Sequence, residues 1–243
     1  MSQPSTLENP DPNASVLVLG IGNILWADEG FGVRALEALR SQYRFPDNVT
    51  LLDGGTQGIY LVQNIREADI LVVFDAVDYG LPGGSLKRVE GDEVPKFLGC
   101  KKVSLHQTGF QEVLAMAEMM GDYPRHLLLI GVQPVELEDY GGSLRAAVKA
   151  QIQPAIALAL EYLAGHGILA ERRTTPLDAD RAAGAIADIH RYERERPDPA
   201  LACRVGDDRV LYSTDYQVAY RPADIDGVSV PVDQHLDKYR EGD

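Results

Sequence analysis

The segment Ile70-Leu71-Val72-Val73-Phe74-Asp75-Ala76 constrains the fold more than any other part of this 243-residue chain. Its first five residues are apolar and mostly β-branched or bulky, with no polar face to offer solvent. A strand built from them must be covered on both sides, as in a parallel sheet flanked by helices. Ser15 to Gly20 (SVLVLG) and Leu127 to Val132 (LLLIGV) repeat the pattern, and Val49 to Asp53 gives a further strand cut off by Gly54-Gly55. Helical stripes separate them. Phe31, Ala35, Leu36 and Leu39 mark a helix from Gly30 to Tyr43. Leu61, Val62 and Ile65 mark a short one from Ile59 to Ala68, and Phe110, Val113, Leu114 and Ala117 one from Thr108 to Met120. A last helix is expected from Ser143, its N-cap, to Ala164, kinked at Pro154 and stopped by Gly165-His166-Gly167. Ser85 to Val89, after a Leu81-Pro82-Gly83-Gly84 turn, reads as an edge strand. The alternation predicts an α/β fold: an open, doubly wound, mostly parallel sheet with helices on both faces, of about 160 residues.

Charge density divides the chain. Of the first 171 residues 34 are charged, against 26 of the 72 that follow, where prolines are scattered among them. The expected organisation is a disordered arm over 1–14, the α/β domain over 15–171, and a charged, loosely structured C-terminal extension over 172–243. The extension has room for a hairpin around Ala202 to Ser213, turned at Gly206-Asp207. A net charge of −14 argues against nucleic acid and anionic lipid as partners. Cys100 and Cys203 are too far apart for a CxxC motif. No apolar run reaches the length of a membrane span, and the opening residues lack the basic start and apolar stretch of a signal peptide, so the expectation is a cytoplasmic protein with no direct membrane insertion.

In such folds ligands bind beyond the C-terminal ends of the strands. Four segments fall there: Gly20 to Gly30, Asp53-Gly54-Gly55-Thr56, Asp75 with Asp78 nearby, and Ser104-Leu105-His106-Gln107 before the helix expected at Thr108. The first invites a dinucleotide reading, with Asp53 as the ribose-binding acid. Leu25 stands where the fingerprint needs its third glycine, and the domain leaves no substrate domain behind it, so no nucleotide cofactor is expected. HExxH and GxSxG motifs are absent. Glu29, Asp75 and His106 form a sharper set: two carboxylates and an imidazole make a mixed oxygen and nitrogen site for a divalent metal, with positions open for water or substrate. Each also has an ordinary role. Glu29 could favour a helix dipole, Asp75 could cap a turn, and His106 could be a hydrogen-bonded core residue. Trp26 could plug a core edge or shape a peptide groove.

The blocks GIGNILWADEGFGVR (20–34), DGGTQG (53–58), FDAVDYGLPGG (74–84), SLHQTGFQEVL (104–114) and GVQPVELEDYGGSL (131–144) resemble the endopeptidases that mature [NiFe]-hydrogenase large subunits. The resemblance runs over about residues 15–170, in order, and is strongest to the branch serving membrane-bound uptake hydrogenases. It implies the doubly wound fold and carries the family's metal-binding and catalytic positions onto Glu29, Asp75 and His106. It further implies that the partner is a hydrogenase large-subunit precursor, that the nickel is supplied by that precursor, and that a single cut releases a short C-terminal peptide. Asp53, Gly54, Gly55 and Thr56 are the expected substrate-positioning loop, its glycines allowing close approach to a bound peptide. A metal-bound water or a carboxylate-activated one could attack. The alternative is a non-hydrolytic nickel-delivery or docking factor for hydrogenase assembly.

Overall fold

The computed structural model describes residues 11–95, 105–177 and 188–195, with residues 105–109 as backbone alone. The chain divides into two units, Met1–Asp198 and Pro199–Asp243, and all the described residues belong to the first. Its strands are β1 (Val16–Ile21), β2 (Tyr43–Arg44), β3 (Val49–Gly55), β4 (Ile70–Ala76), β5 (Leu86–Glu90), β6 (His126–Val132) and β7 (Glu171–Arg172). Its α-helices are α1 (Phe31–Gln42), α2 (Val62–Arg66), α3 (Leu105–Met119), α4 (Ala146–Lys149), α5 (Ile152–Gly165) and α6 (Ile189–Arg194). Among the described residues no helix is long and apolar enough to cross a membrane.

Five strands form one sheet in the order β3-β1-β4-β6-β5. β3, β1, β4 and β6 run parallel, and β5 closes the edge antiparallel to β6. β1 therefore has β3 on one side and β4 on the other, with Gly20 opposite both Asp53 and Phe74. The first crossover winds one way and the later ones the other, which puts the topological switch point at the C-terminal ends of β1 and β4, where folds of this kind have their ligand crevice.

Strand periodicity sends alternate residues to two cores. Val16, Val18, Ile70, Val72, Phe74, Leu128 and Ile130 pack with α1 and α5 through Phe31, Leu36, Leu39, Ile156 and Leu163. Leu17, Leu19, Leu71, Val73, Leu127 and Leu129 pack on the other face with Leu61, Ile65 and the α3 residues Phe110, Val113, Leu114 and Ala117. The doubly wound, mostly parallel α/β sheet expected from the apolar runs is the observed fold.

Several boundaries differ from expectation. The 59–68 helix divides into a 3-10 turn, Gly58–Leu61, and α2. α3 begins at Leu105, so His106 lies in its first turn rather than ahead of it. The expected 143–164 helix is two, α4 and α5, and Pro154 is the third residue of α5. A first-turn amide has no intrahelical acceptor, so proline there costs nothing and no kink results. Ser143 caps neither helix; its hydroxyl donates to Glu193 Oε1 at 2.7 Å. Beyond residue 170, β7 pairs antiparallel with β2, the Leu177 amide donates to Ser41 O at 3.0 Å, and Ile189 of α6 packs against the α1 and α5 core. The hairpin expected around Ala202 lies outside the described residues.

Candidate active site at the strand ends

Two glycines bring the loop after β1 to the crevice. At Gly22 (φ +131°) any Cβ would run into the Glu29 carbonyl, so the loop folds back on itself there. At Gly32 a Cβ would collide with Phe74 O and with the Ile21 backbone, so the first turn of α1 sits directly on the ends of β1 and β4. Between them Ala27–Gly30 makes a 3-10 turn whose N-terminus has no side-chain cap. Ala27 adopts φ +41°, a left-handed conformation that a non-glycine residue holds only when its surroundings dictate it. Glu29 is half-buried in this turn, beside the switch point.

What dictates the turn is Asp28, which the sequence offers only as a neighbour of Glu29. Its side chain is fully buried. Oδ2 accepts from the amides of Val135 and Glu136 at 2.8 and 2.9 Å, and Oδ1 from the Arg145 amide at 2.7 Å. Three donors on one buried carboxylate offset its desolvation and pin the 133–145 segment to the Glu29 turn. The Asp28 amide returns a bond to Glu136 O at 3.1 Å. Trp26, half-buried, meets the Tyr140 ring edge-on at 5.2 Å, so it packs against the same segment.

Asp75 is the penultimate residue of β4 and is fully buried. Its Oδ1 accepts from the Ala76 amide at 2.8 Å. Opposite it in register stands Gly131, over which the Tyr79 hydroxyl lies so closely that a Cβ would overlap it. Burial pushes the Tyr79 phenol above its ordinary pKa, and the negative charge of Asp75 adds to the shift. Gln133, buried at the end of β6, holds this loop in place: its Oε1 accepts from the amides of Tyr79 and Leu81 at 2.7 and 3.1 Å, and its Nε2 donates to Asp78 Oδ1 at 3.0 Å.

Asp53-Gly54-Gly55-Thr56 lies on the other side of β1. Asp53 is exposed, and its Oδ1 accepts from the Gly55 amide at 2.9 Å. The Gly22 amide donates to Gly55 O at 3.0 Å, which fastens this loop to the Glu29 loop. Gly54 lies against the Leu19 side chain, so that a Cβ there would press on Leu19 Cδ1 at 2.8 Å. His106 is the second residue of α3, whose 15 residues span about 22 Å. α3 ends shortly before β6 begins and packs against the 58–61 turn, so its first turn lies toward the C-terminal edge of the sheet. The Glu29 turn and Asp75 thus both lie at the C-terminal end of the sheet, where that turn packs against β4, with Asp53–Thr56 and the His106 backbone on the same edge. Among the described residues no group of three or more His, Cys, Asp and Glu side chains forms a metal site, and the His106 side chain is outside that statement. His126, first in β6, lies at the opposite end of that strand and meets the His166 ring at 4.6 Å.

A family model for hydrogenase maturation proteases matches residues 33–162. The chain belongs to that family. It is 66% identical over 199 residues to the hydrogenase expression/formation protein HupD of Thiocapsa roseopersicina, covering 82% of this chain and 90% of that protein. To the hydrogenase 2 maturation protease of Escherichia coli it is 41% identical over 154 residues, 63% of this chain and 93% of that one. Among solved structures, the E. coli hydrogenase maturating endopeptidase HybD superposes with a TM-score of 0.63 at 39% identity, over 65% of this chain and 98% of its own. As a hydrogenase maturation protease by family, the protein is a hydrolase of the endopeptidase class, on the fold that HybD shares.

Proposed function

We propose that this protease removes a short C-terminal peptide from the nickel-loaded precursor of a [NiFe]-hydrogenase large subunit. The observation that carries the reading is the fully buried Asp75 carboxylate at the β1/β4 switch point, with the Glu29 turn wedged against the same strand ends. A buried carboxylate is stabilised by a cation, and a crevice between strand ends is where this fold takes its ligand.

In this reading the nickel is part of the substrate. Glu29, Asp75 and His106 supply two oxygens and a nitrogen, an incomplete set that holds nickel firmly only when the precursor contributes the remaining ligands. Binding then depends on a precursor already loaded with metal, which makes the metal the recognition handle. The Asp53–Thr56 loop lays backbone against the bound peptide. Water adds across the scissile bond to leave a new carboxylate and a free amine, activated on the metal or by one of the two carboxylates.

The test is to mix the purified protein with nickel-loaded and nickel-free precursor. Shortening of the loaded form alone supports the proposal. Stable co-elution with no change in mass instead identifies a docking or delivery factor.

A further inference from the structure

Beyond residue 162, where the family match ends, the described chain straps back across α1. β7 pairs with β2, the Arg173 amide donates to Gln42 O at 2.8 Å, and Ser41 Oγ donates to Leu177 O at 3.1 Å. α6 then brings the Tyr192 ring beneath the Arg34 guanidinium, 5.6 Å from its centroid. Glu193 attaches it further. Both carboxylate oxygens accept from Lys149 Nζ at 2.8 Å, and Oε1 also accepts from Ser143 Oγ at 2.7 Å. Partial burial works to raise the Glu193 carboxyl, and the bonds from Lys149 and Ser143 outweigh it, leaving the group below its ordinary pKa.

The two residues that Glu193 grips bracket Arg145. The Lys149 amide donates to Arg145 O at 2.8 Å, and the Arg145 amide is the one that donates to Asp28 Oδ1 at 2.7 Å. Asp28 precedes Glu29 directly. A continuous run of short hydrogen bonds and single turns of backbone therefore joins α6 to the 3-10 turn that carries Glu29. That turn has no side-chain cap and contains the left-handed Ala27, so its shape is set from outside.

We propose that Glu193 is a positioning residue for the protease site: by holding Ser143 and Lys149 it keeps the Arg145 amide on Asp28 and so holds Glu29 at the crevice. The proposal rests on the reading of Glu29 as a site residue. It gives the segment beyond the family match a part in substrate binding.

The experiment uses the full-length protein and its variants E193A and E193Q. Amide exchange is followed residue by residue, and precursor processing is measured over a range of concentrations. In E193A the amides of Val135, Glu136 and Arg145 are expected to exchange about two- to fivefold faster, the range a half-exposed ion pair supplies. Core amides such as Val72 and Leu129 keep their protection. KM for the nickel-loaded precursor rises by a similar factor while kcat holds, and E193Q, which keeps an acceptor for Ser143, recovers part of both changes. A merely structural loss would instead lower the active fraction and leave KM where it was. Unchanged exchange at Arg145, with the α6 amides of Tyr192 and Glu195 released, overturns the proposal, as does uniform acceleration through the core. Selective exchange with an unchanged KM also overturns it, by removing Glu29 from substrate binding. Failure of the wild-type protein to cut any precursor would sink the proposed function and leave the exchange result standing.

Discussion

The Arg145 amide donates to Asp28 Oδ1 at 2.7 Å across 117 positions of sequence, and this bond ties the loop after β1 to the segment after β6. Those two stretches leave the sheet from β1 and β6, with β4 between them. The Asp28 carboxylate spans the gap and joins the two stretches.

Asp28→Asn keeps the shape and puts an NH2 group where an acceptor stood. At least one of the three amides loses its partner, at a cost of about 1–3 kcal/mol. Chemical denaturation should show this loss, and processing should fall with it because the Glu29 turn is released. A variant as stable as wild type would contradict the role given to Asp28.

Asp75→Asn separates function from stability. Neutralising a buried carboxylate removes a desolvated charge, so the melting temperature should hold or rise. Processing of the nickel-loaded precursor should be lost. His106→Ala should likewise leave the fold intact and abolish processing. Normal cleavage by either variant removes that residue from the site.

Gly131→Ala should destabilise by about 1–3 kcal/mol, because its new methyl meets the Tyr79 hydroxyl. Tyr79 is a side chain and can be cut back, so the double variant with Tyr79→Ala should recover part of the loss in a double-mutant cycle. Gly32→Ala meets Phe74 O and the Ile21 backbone instead, and no side-chain truncation relieves it. Additive effects of the two changes at 131 and 79 would show that the contact is not made.

Asp69 gives a pH dependence at the other edge of the sheet. A hydrogen bond from Arg125, with further bonds from the Ser15 amide and hydroxyl, holds its carboxyl at about 2. The folded value lies below the ordinary one, so the contribution is complete above about pH 4 and is lost as pH falls towards 2. The stability difference between wild type and Asp69→Asn should therefore narrow over that interval. A difference constant from pH 6 to pH 2 would contradict the assignment.

The sheet was legible because continuous apolar runs such as Ile70 to Phe74 fit little else, and the same run puts Asp75 at a strand end, where the structure has it buried. Asp28 was not legible. Its partners are backbone amides more than 100 positions away, and an amide leaves no mark in a sequence. Gly32 is not marked in the sequence, because the dinucleotide template has its third glycine at position 25, whereas the close approach of helix to strand occurs seven residues later. The split at Ala150-Gln151 leaves no mark because the apolar period runs on through it, and Pro154 reads as a kink although it lies in the first turn of a new helix. The attachment of Glu193 to Lys149 lay in a stretch whose charge density reads as solvated surface, although there the charges serve as tethers.

The proposed function requires Glu29, Asp75 and His106 to share one metal ion. Anomalous scattering decides it, from a crystal of the full chain soaked at millimolar nickel or cadmium, a concentration that fills a site which binds weakly without the precursor's ligands. A single strong peak is expected between the ends of β1 and β4, about 2.0–2.3 Å from oxygens of Glu29 and Asp75 and a ring nitrogen of His106. A crevice without metal while the ion binds elsewhere on the chain, or a peak there that one of the three side chains does not reach, would contradict it.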